Sequence, residues 1–126
     1  MIGSFQCLVL DCPAPLELAA FYQSILGGEV NRPDKRWVLD DHWATLHTDT
    51  TVLAFQRAED YQPPAWPDPQ RPQQLHIDVG VDDLDTAERQ VLGLGAQLLD
   101  RGERDRDWRV YADPAGHPFC LCHVGD

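Results

Sequence analysis

His76 and Asp78 are residues whose types and spacing invite chemistry. His76 alternates with Leu75 and Ile77, so its side chain points away from theirs, and Asp78 shares its side. A carboxylate two residues along a strand can orient an imidazole for metal ligation or proton transfer; the same pair also suits a hydrogen-bonded structural histidine. Gln6 and Gln56 each stand among apolar neighbours. An amide withdrawn from water needs partners, which makes both candidates to line a binding surface. Cys120 and Cys122 alternate along an apolar stretch near His117 and His123. That spacing matches no closed zinc pattern, and buried free cysteine also behaves as a small hydrophobe. Trp37, Trp43 and Trp108 fall on expected strands, where their indoles serve either to stack on a flat or cationic ligand or to pack a core. Arg109 and Tyr111 share one face of their strand and suit an anionic or carbonyl group. His117 follows a turn, either as a mobile acid–base group or as a solvent-facing histidine. The sequence offers no glycine-rich phosphate cradle and no serine or cysteine in a recognisable nucleophile setting.

Regular elements must hold these residues. An apolar run over 5–11 has the length of a buried strand. Pro15 suits the first turn of a helix, and Leu18, Phe21, Tyr22, Ile25 and Leu26 recur at helical spacing. Gly27-Gly28 ends that helix, because glycine takes the left-handed closing conformation without strain. Strands are expected over 28–31, 36–39, 43–48 and 51–57. Residues 59–74 carry five prolines, Pro63, Pro64, Pro67, Pro69 and Pro72, which bar helix and central strand and leave an extended connector anchored by Tyr61 and Trp66.

Beyond the connector the order repeats. A strand is expected over 75–79, then a helix with Asp83 as N-cap, Asp85 in its first turn and a buried stripe of Leu84, Ala87, Val91 and Leu94. Gly95 closes it, and strands follow over 96–99, 108–112 and 119–123. Leu26-Gly27-Gly28 and Leu94-Gly95-Ala96 occupy the same place in the two halves. The expected fold is α+β: two tandem βαβββ modules, over about 4–58 and 75–124, forming a curved, partly open barrel-like sheet. A βαβββ unit leaves one sheet face uncovered, so a cleft between the halves is expected.

The motifs also carry a family likeness. Gln6-x-Leu8-x-Leu10-Asp11-Cys12-Pro13, followed by Phe21-Tyr22 and Leu26-Gly27, resembles the opening of the vicinal oxygen chelate superfamily, which includes glyoxalase I, bleomycin-resistance proteins and extradiol dioxygenases. Leu75 to Val79 with Asp82-Asp83-Leu84 looks like the start of its second module, and Tyr111 to Phe119 like its closing hairpin. The chain is similar to small glyoxalase-like domain proteins over about residues 4–124. In metal-dependent members, one divalent ion sits on residues from the first and last strands of each module. Carried over by motif, the resemblance implies Gln6, Gln56, His76 and Cys120 as the metal positions, with Zn, Mn, Fe or Ni as candidate ions. Gln56 and Cys120 stand where Glu is expected, which makes the implied site degenerate. The resemblance also implies a homodimer.

The bulk numbers narrow the partners. Twenty-one acidic residues against ten basic ones give a formal charge of −11. Such a surface repels phosphate backbones and anionic lipid, so neither nucleic acid nor membrane is an expected partner. The start lacks a basic stretch leading into a long apolar core, which makes the cytoplasm the expected address. Two functions follow as expectations. One is a small-molecule-binding protein of the bleomycin-resistance type, with Gln6, Trp37, Trp43, Gln56, His76, Arg109 and Tyr111 as its lining. The other is a metal-dependent lyase, isomerase or dioxygenase acting on a small oxygenated substrate, with His76 as catalytic candidate.

Overall fold

The computed structural model describes residues 1–125 and divides them into two compact units that meet between Tyr61 and Gln62. The first contains β1 (Leu8–Cys12), α1 (Pro15–Leu26), β2 (Glu29–Val30), β3 (Trp43–His47) and β4 (Val52–Arg57). The second contains β5 (Ile77–Val81), α2 (Leu84–Gly93), β6 (Gln97–Asp100), β7 (Trp108–Ala112) and β8 (Pro118–His123). Each unit is thus one βαβββ module with a four-stranded mixed sheet, in the orders β1-β4-β3-β2 and β5-β8-β7-β6. In both, the first strand runs parallel to the last, and the other pairings are antiparallel.

In the first module, α1 packs on β3 and β4. Its buried residues are Pro15, Leu18, Ala19, Phe21 and Tyr22. Tyr22 stacks on Phe55 of β4 with ring centroids 6.0 Å apart. Pro15 starts the helix in place of a side-chain cap, and Gly27 ends it at φ 73. Gly28 has φ 97, and an added Cβ would run into the His47 carbonyl. Only glycine passes β3 that closely.

In the second module, Asp83 caps α2 by accepting from the Thr86 backbone N–H, as the sequence predicts. Burial here is sparser, with Ala87, Glu88 and Val91 the helix residues shielded from solvent. Tyr111 stacks on Phe119 with ring centroids 5.5 Å apart.

Three expected strands differ from those observed. No strand forms over 36–39. Asn31 takes a left-handed conformation, φ 57, and turns the chain off β2 after two residues. Its backbone N–H and side-chain carbonyl both bond to Thr45, which ends the ladder. The following segment is held by side chains, and only an isolated bridge joins Asp40 to Trp43. The first strand begins at Leu8 rather than Phe5, because its partner β4 starts at Val52 and pairs Leu53 with Leu8. The strand expected over 75–79 runs from Ile77 to Val81, since its register on β8 begins with Ile77 opposite Phe119.

Candidate functional site

Each sheet has one face packed by its helix and one face bare of helix, and the chemistry-bearing residues gather on the bare faces. In β3 and β4, Leu46, Leu53 and Phe55 are buried toward α1, so Trp43, Thr45, His47 and Gln56 alternate to the other side. In β5 and β8, Val79, Phe119 and Leu121 are buried toward α2, and His76, Asp78, Cys120 and Cys122 take the open side.

The first module carries a pocket of about 450 Å³ lined by Gln6, Cys7, Arg36, Trp37, Trp43 and Gln56 among others. The segment that failed to form a strand builds its wall. Asp34 holds Arg36 through a 2.6 Å ion pair, and this contact keeps the Asp34 carboxyl far below the usual carboxylate range, with His47 adding to the effect. Trp37 then lies 6.0 Å from the Trp43 ring and 6.2 Å from His47. The Arg36 guanidinium sits 4.4 Å above the Trp37 ring, so one indole face already carries a cation of this chain. Both indole N–H groups are buried without a hydrogen-bond partner among the described residues. Gln6 lies outside the strand and is exposed, against the expectation of a buried amide. Its carbonyl accepts from Arg36 at 3.3 Å. Gln56 is exposed as well.

The second module carries a pocket of about 330 Å³ lined by Trp66, Gln73, His76, Asp78, Trp108, Val110, Cys120 and Cys122. His76 Nε2 lies 3.3 Å from Asp78 Oδ1. One ligand atom each from His76, Asp78 and Cys120 falls within 4.8 Å of the others. Burial, then the Asp78 carboxylate, pushes the Cys120 thiol up to about 12. The same two causes raise Cys122. None of the four cysteines forms a disulfide. Trp108 is 42% exposed, with the Arg106 guanidinium 3.8 Å above its ring. A tryptophan with its neighbouring arginine stacked on it therefore recurs in both modules.

Arg109 and Tyr111 belong to neither pocket. They share a face of β7, as expected, but it is the face packed by α2. Tyr111 is fully buried, and its hydroxyl donates to Glu88 at 3.1 Å. Arg109 pairs with Asp85 at 2.8 Å and Glu88 at 3.4 Å. Strand alternation puts two residues on one face without saying which face is covered, and Glu88, the buried carboxylate that decides it, gave no sign in the sequence.

The registers also correct the matching of the two halves. β1 and β5 are each five residues long, and two residues separate each from its helix. Cys7, one residue before β1, is therefore the counterpart of His76, not Gln6. Gln56 pairs with Trp43 and Cys122 with Trp108, so Gln56 corresponds to Cys122. Cys120 lies opposite Asp78, as Ala54 lies opposite Val9. Equal spacing back from each helix start carries the Cys7–His76 match in the sequence, whereas the motif around Gln6 points one residue earlier.

Two tandem βαβββ modules with open, mixed sheets define a member of the glyoxalase/bleomycin resistance/dioxygenase, or vicinal oxygen chelate, superfamily. The chain belongs to the glyoxalase-like domain family, whose model matches residues 7–122. Among solved structures it is similar to a glyoxalase/bleomycin resistance protein/dioxygenase family enzyme from Burkholderia phytofirmans PsJN. That likeness has 17% identity and a TM-score of 0.71, over 97% of this chain and 99% of that one. A hypothetical protein from S. aureus matches at 19% identity and TM-score 0.68, covering 98% and 99%. A mutant of the fosfomycin resistance protein FosX from Listeria monocytogenes, complexed with Mn(II) and 1S,2S-dihydroxypropylphosphonic acid, matches at 16% identity and TM-score 0.69, covering 97% and 93%. At these identities the likeness is one of fold. Among curated proteins none matches. No helix among the described residues is long and apolar enough to cross a membrane.

Proposed function

We propose that the protein binds a small organic molecule with a flat ring bearing a hydrogen-bond acceptor, and that it is a sequestering module of the bleomycin-resistance type. The observation that carries this reading is the pairing of Trp37 with Trp43 in the first module's pocket. Their rings give a stacking surface, and their two indole N–H groups have no acceptor of their own. Gln6 and Gln56 add amides at the rim. The stacked Arg36 argues for an acceptor-bearing ring over the cationic ligand that acidity alone would suggest. A cytoplasmic homodimer belongs to the same reading: the compartment is supported by four cysteines that form no disulfide, and the homodimer by the family likeness.

The donor chemistry speaks against a hard ion of the Mn(II) kind. The positions implied by the resemblance supply two neutral amides, one imidazole and one thiol, whereas hard divalent ions want carboxylate and imidazole. The two amides line one pocket and His76 and Cys120 another. The second reading, a metal-dependent lyase, isomerase or dioxygenase, is favoured by one observation, the His76–Asp78–Cys120 cluster.

Fluorescence titration with a panel of single-ring amides, carboxylates and phenols tests the first reading. At least one compound should quench tryptophan emission saturably, and Trp43→Ala should weaken it about tenfold, equivalent to ~1.4 kcal/mol. Failure of every compound to saturate, or a titration that Trp43→Ala leaves unchanged, overturns it.

A further inference from the structure

We propose that Thr45 and His47, on the open face of β3, form with the indole N–H groups of Trp37 and Trp43 a subsite for an oxyanion, so that the first module's ligand is a flat-ring carboxylate. The inference rests on the ring-binding reading and names the group that the ring must carry.

Unmet hydrogen-bonding capacity makes the first case. Among the described residues, six buried side-chain nitrogens and oxygens lack a hydrogen bond, and five of them sit here: both indole Nε1 atoms, Thr45 Oγ1 and both ring nitrogens of His47. Folded proteins leave few such groups, and a cluster of them on one sheet face is completed by a polar group from outside. Strand alternation sets Trp43, Thr45 and His47 on the same side of β3. Trp37 joins them from the neighbouring strap, 6.0 Å from the Trp43 ring and 6.2 Å from that of His47. Thr45 is fully buried and His47 is 6% exposed.

Charge makes the second case. The charged groups facing His47 pair off: Asp34 with Arg36 at 2.6 Å, and Glu29, its opposite number on β2, with Arg32 at 2.9 Å. On its other flank β4 places Val52. His47 Nε2 stands 3.5 Å from Asp34, whose carboxyl the Arg36 contact keeps ionised. A ring held between that carboxylate and a second one serves both only as an imidazolium, donating from each nitrogen. Its charge is then the one left over, and an anion balances it. Indole N–H groups donate and never accept, and the Thr45 hydroxyl can turn its proton to the same acceptor. The formal charge of −11 opposes anions at long range, but screening over about 8 Å at physiological salt leaves the local donors to decide.

The way in is part of the same device. Trp37 lines the pocket of about 450 Å³, while Thr45 and His47 do not, so Trp37 stands at the boundary between that pocket and the polar floor. No sheet ladder holds residues 32–39. Side chains anchor this strap, through the contacts of Asp34 with His47 and of Arg36 with Gln6. The carboxylate therefore reaches the floor by displacing Trp37 while the ring stays against Trp43.

The test is tryptophan-quenching titration of the full chain with para-nitrobenzoate and para-nitrobenzamide, which share ring and shape and differ in charge. The carboxylate should bind about tenfold more tightly than the amide. His47→Gln keeps a donor without a positive charge. It should weaken the carboxylate about tenfold and leave the amide within about twofold, which erases the preference. Thr45→Val removes only the hydroxyl and should weaken the carboxylate about threefold or more, with the melting temperature held or raised. That variant decides should His47→Gln fail to fold. Equal affinity of the parent for the two compounds overturns this inference and leaves the ring reading standing. So does an equal loss of both compounds in His47→Gln, the behaviour of a residue that only supports the fold. A carboxylate affinity untouched by either substitution overturns it too, since the floor would then meet only water. If no single-ring compound saturates, the ring reading fails and takes this inference with it.

Discussion

The first module shields its helix-packed side with aromatic rings, whereas the second shields it around a charge. In the first, Phe21 and Tyr22 meet edge to face at 5.1 Å, and Tyr22 stacks on Phe55. In the second, Glu88 is 7% exposed and receives Arg101 at 2.7 Å, Arg109 at 3.4 Å and the Tyr111 hydroxyl at 3.1 Å. The open faces diverge the other way. They share residue types but arrange them differently: two tryptophan rings stand 6.0 Å apart in the first, and His76, Asp78 and Cys120 bring ligand atoms within 4.8 Å of one another in the second. Duplication kept strand order and register and let both faces change, because backbone ladders tolerate many side chains provided their alternation is kept.

Breaking the charged network should have the largest effect. Glu88→Ala leaves the Tyr111 hydroxyl without its carboxylate acceptor and Arg109 with Asp85 as its remaining carboxylate partner. A loss of about 2–3 kcal/mol is expected in denaturant unfolding. A loss below about 0.5 kcal/mol would mean the second module rests on its apolar contacts, as the first does.

The helix starts offer a smaller and reciprocal test. Asp83→Ala removes the cap on α2 and should cost about 1 kcal/mol. Ala14→Asp places a cap where α1 has none and should return about 0.5–1 kcal/mol, read as a shift in melting temperature. Equal and near-zero effects would show that packing alone sets both starts.

The mildest effect concerns alkaline pH. Burial and Glu88 push the Tyr111 hydroxyl up to about 12, above its ordinary value of 10.0. The folded chain therefore holds that proton more tightly than the unfolded one. Its stabilising contribution is complete below about pH 10 and is lost as pH rises toward about 12. Tyr111→Phe should flatten part of that alkaline decline in a pH series of melting temperatures. The rest should remain, because Cys120 is also raised and titrates over the same range.

Sequence signals were strongest where local physics acts alone. Pro15, Gly27, Asp83 and Gly95 mark helix ends through backbone conformation and capping, which need no distant partner. Period-two patterns place β3, β4, β7 and β8 to within a residue or two, because each is paired on both sides and buried on one. The segment 36–39 reads as a strand from its Trp and Val, yet a strand exists only where a neighbour offers a free ladder, and Asn31 denies it one. Arg109 and Tyr111 were legible as a pair on one face, but not as a pair turned toward a buried Glu88 twenty-one residues away from Arg109 in the chain.

By itself the sequence determined the duplication, the two βαβββ modules and the residues able to do chemistry, since composition, periodicity and turn residues are local properties; the family came from the resemblance of its motifs. Tertiary structure decided which of those residues meet. It joined Trp37 to Trp43, set Asp78 opposite Cys120, matched Cys7 with His76, and turned Arg109 and Tyr111 toward Glu88. Those outcomes depend on strand register and on which sheet face a helix covers, and both are settled by contacts between residues far apart in the chain.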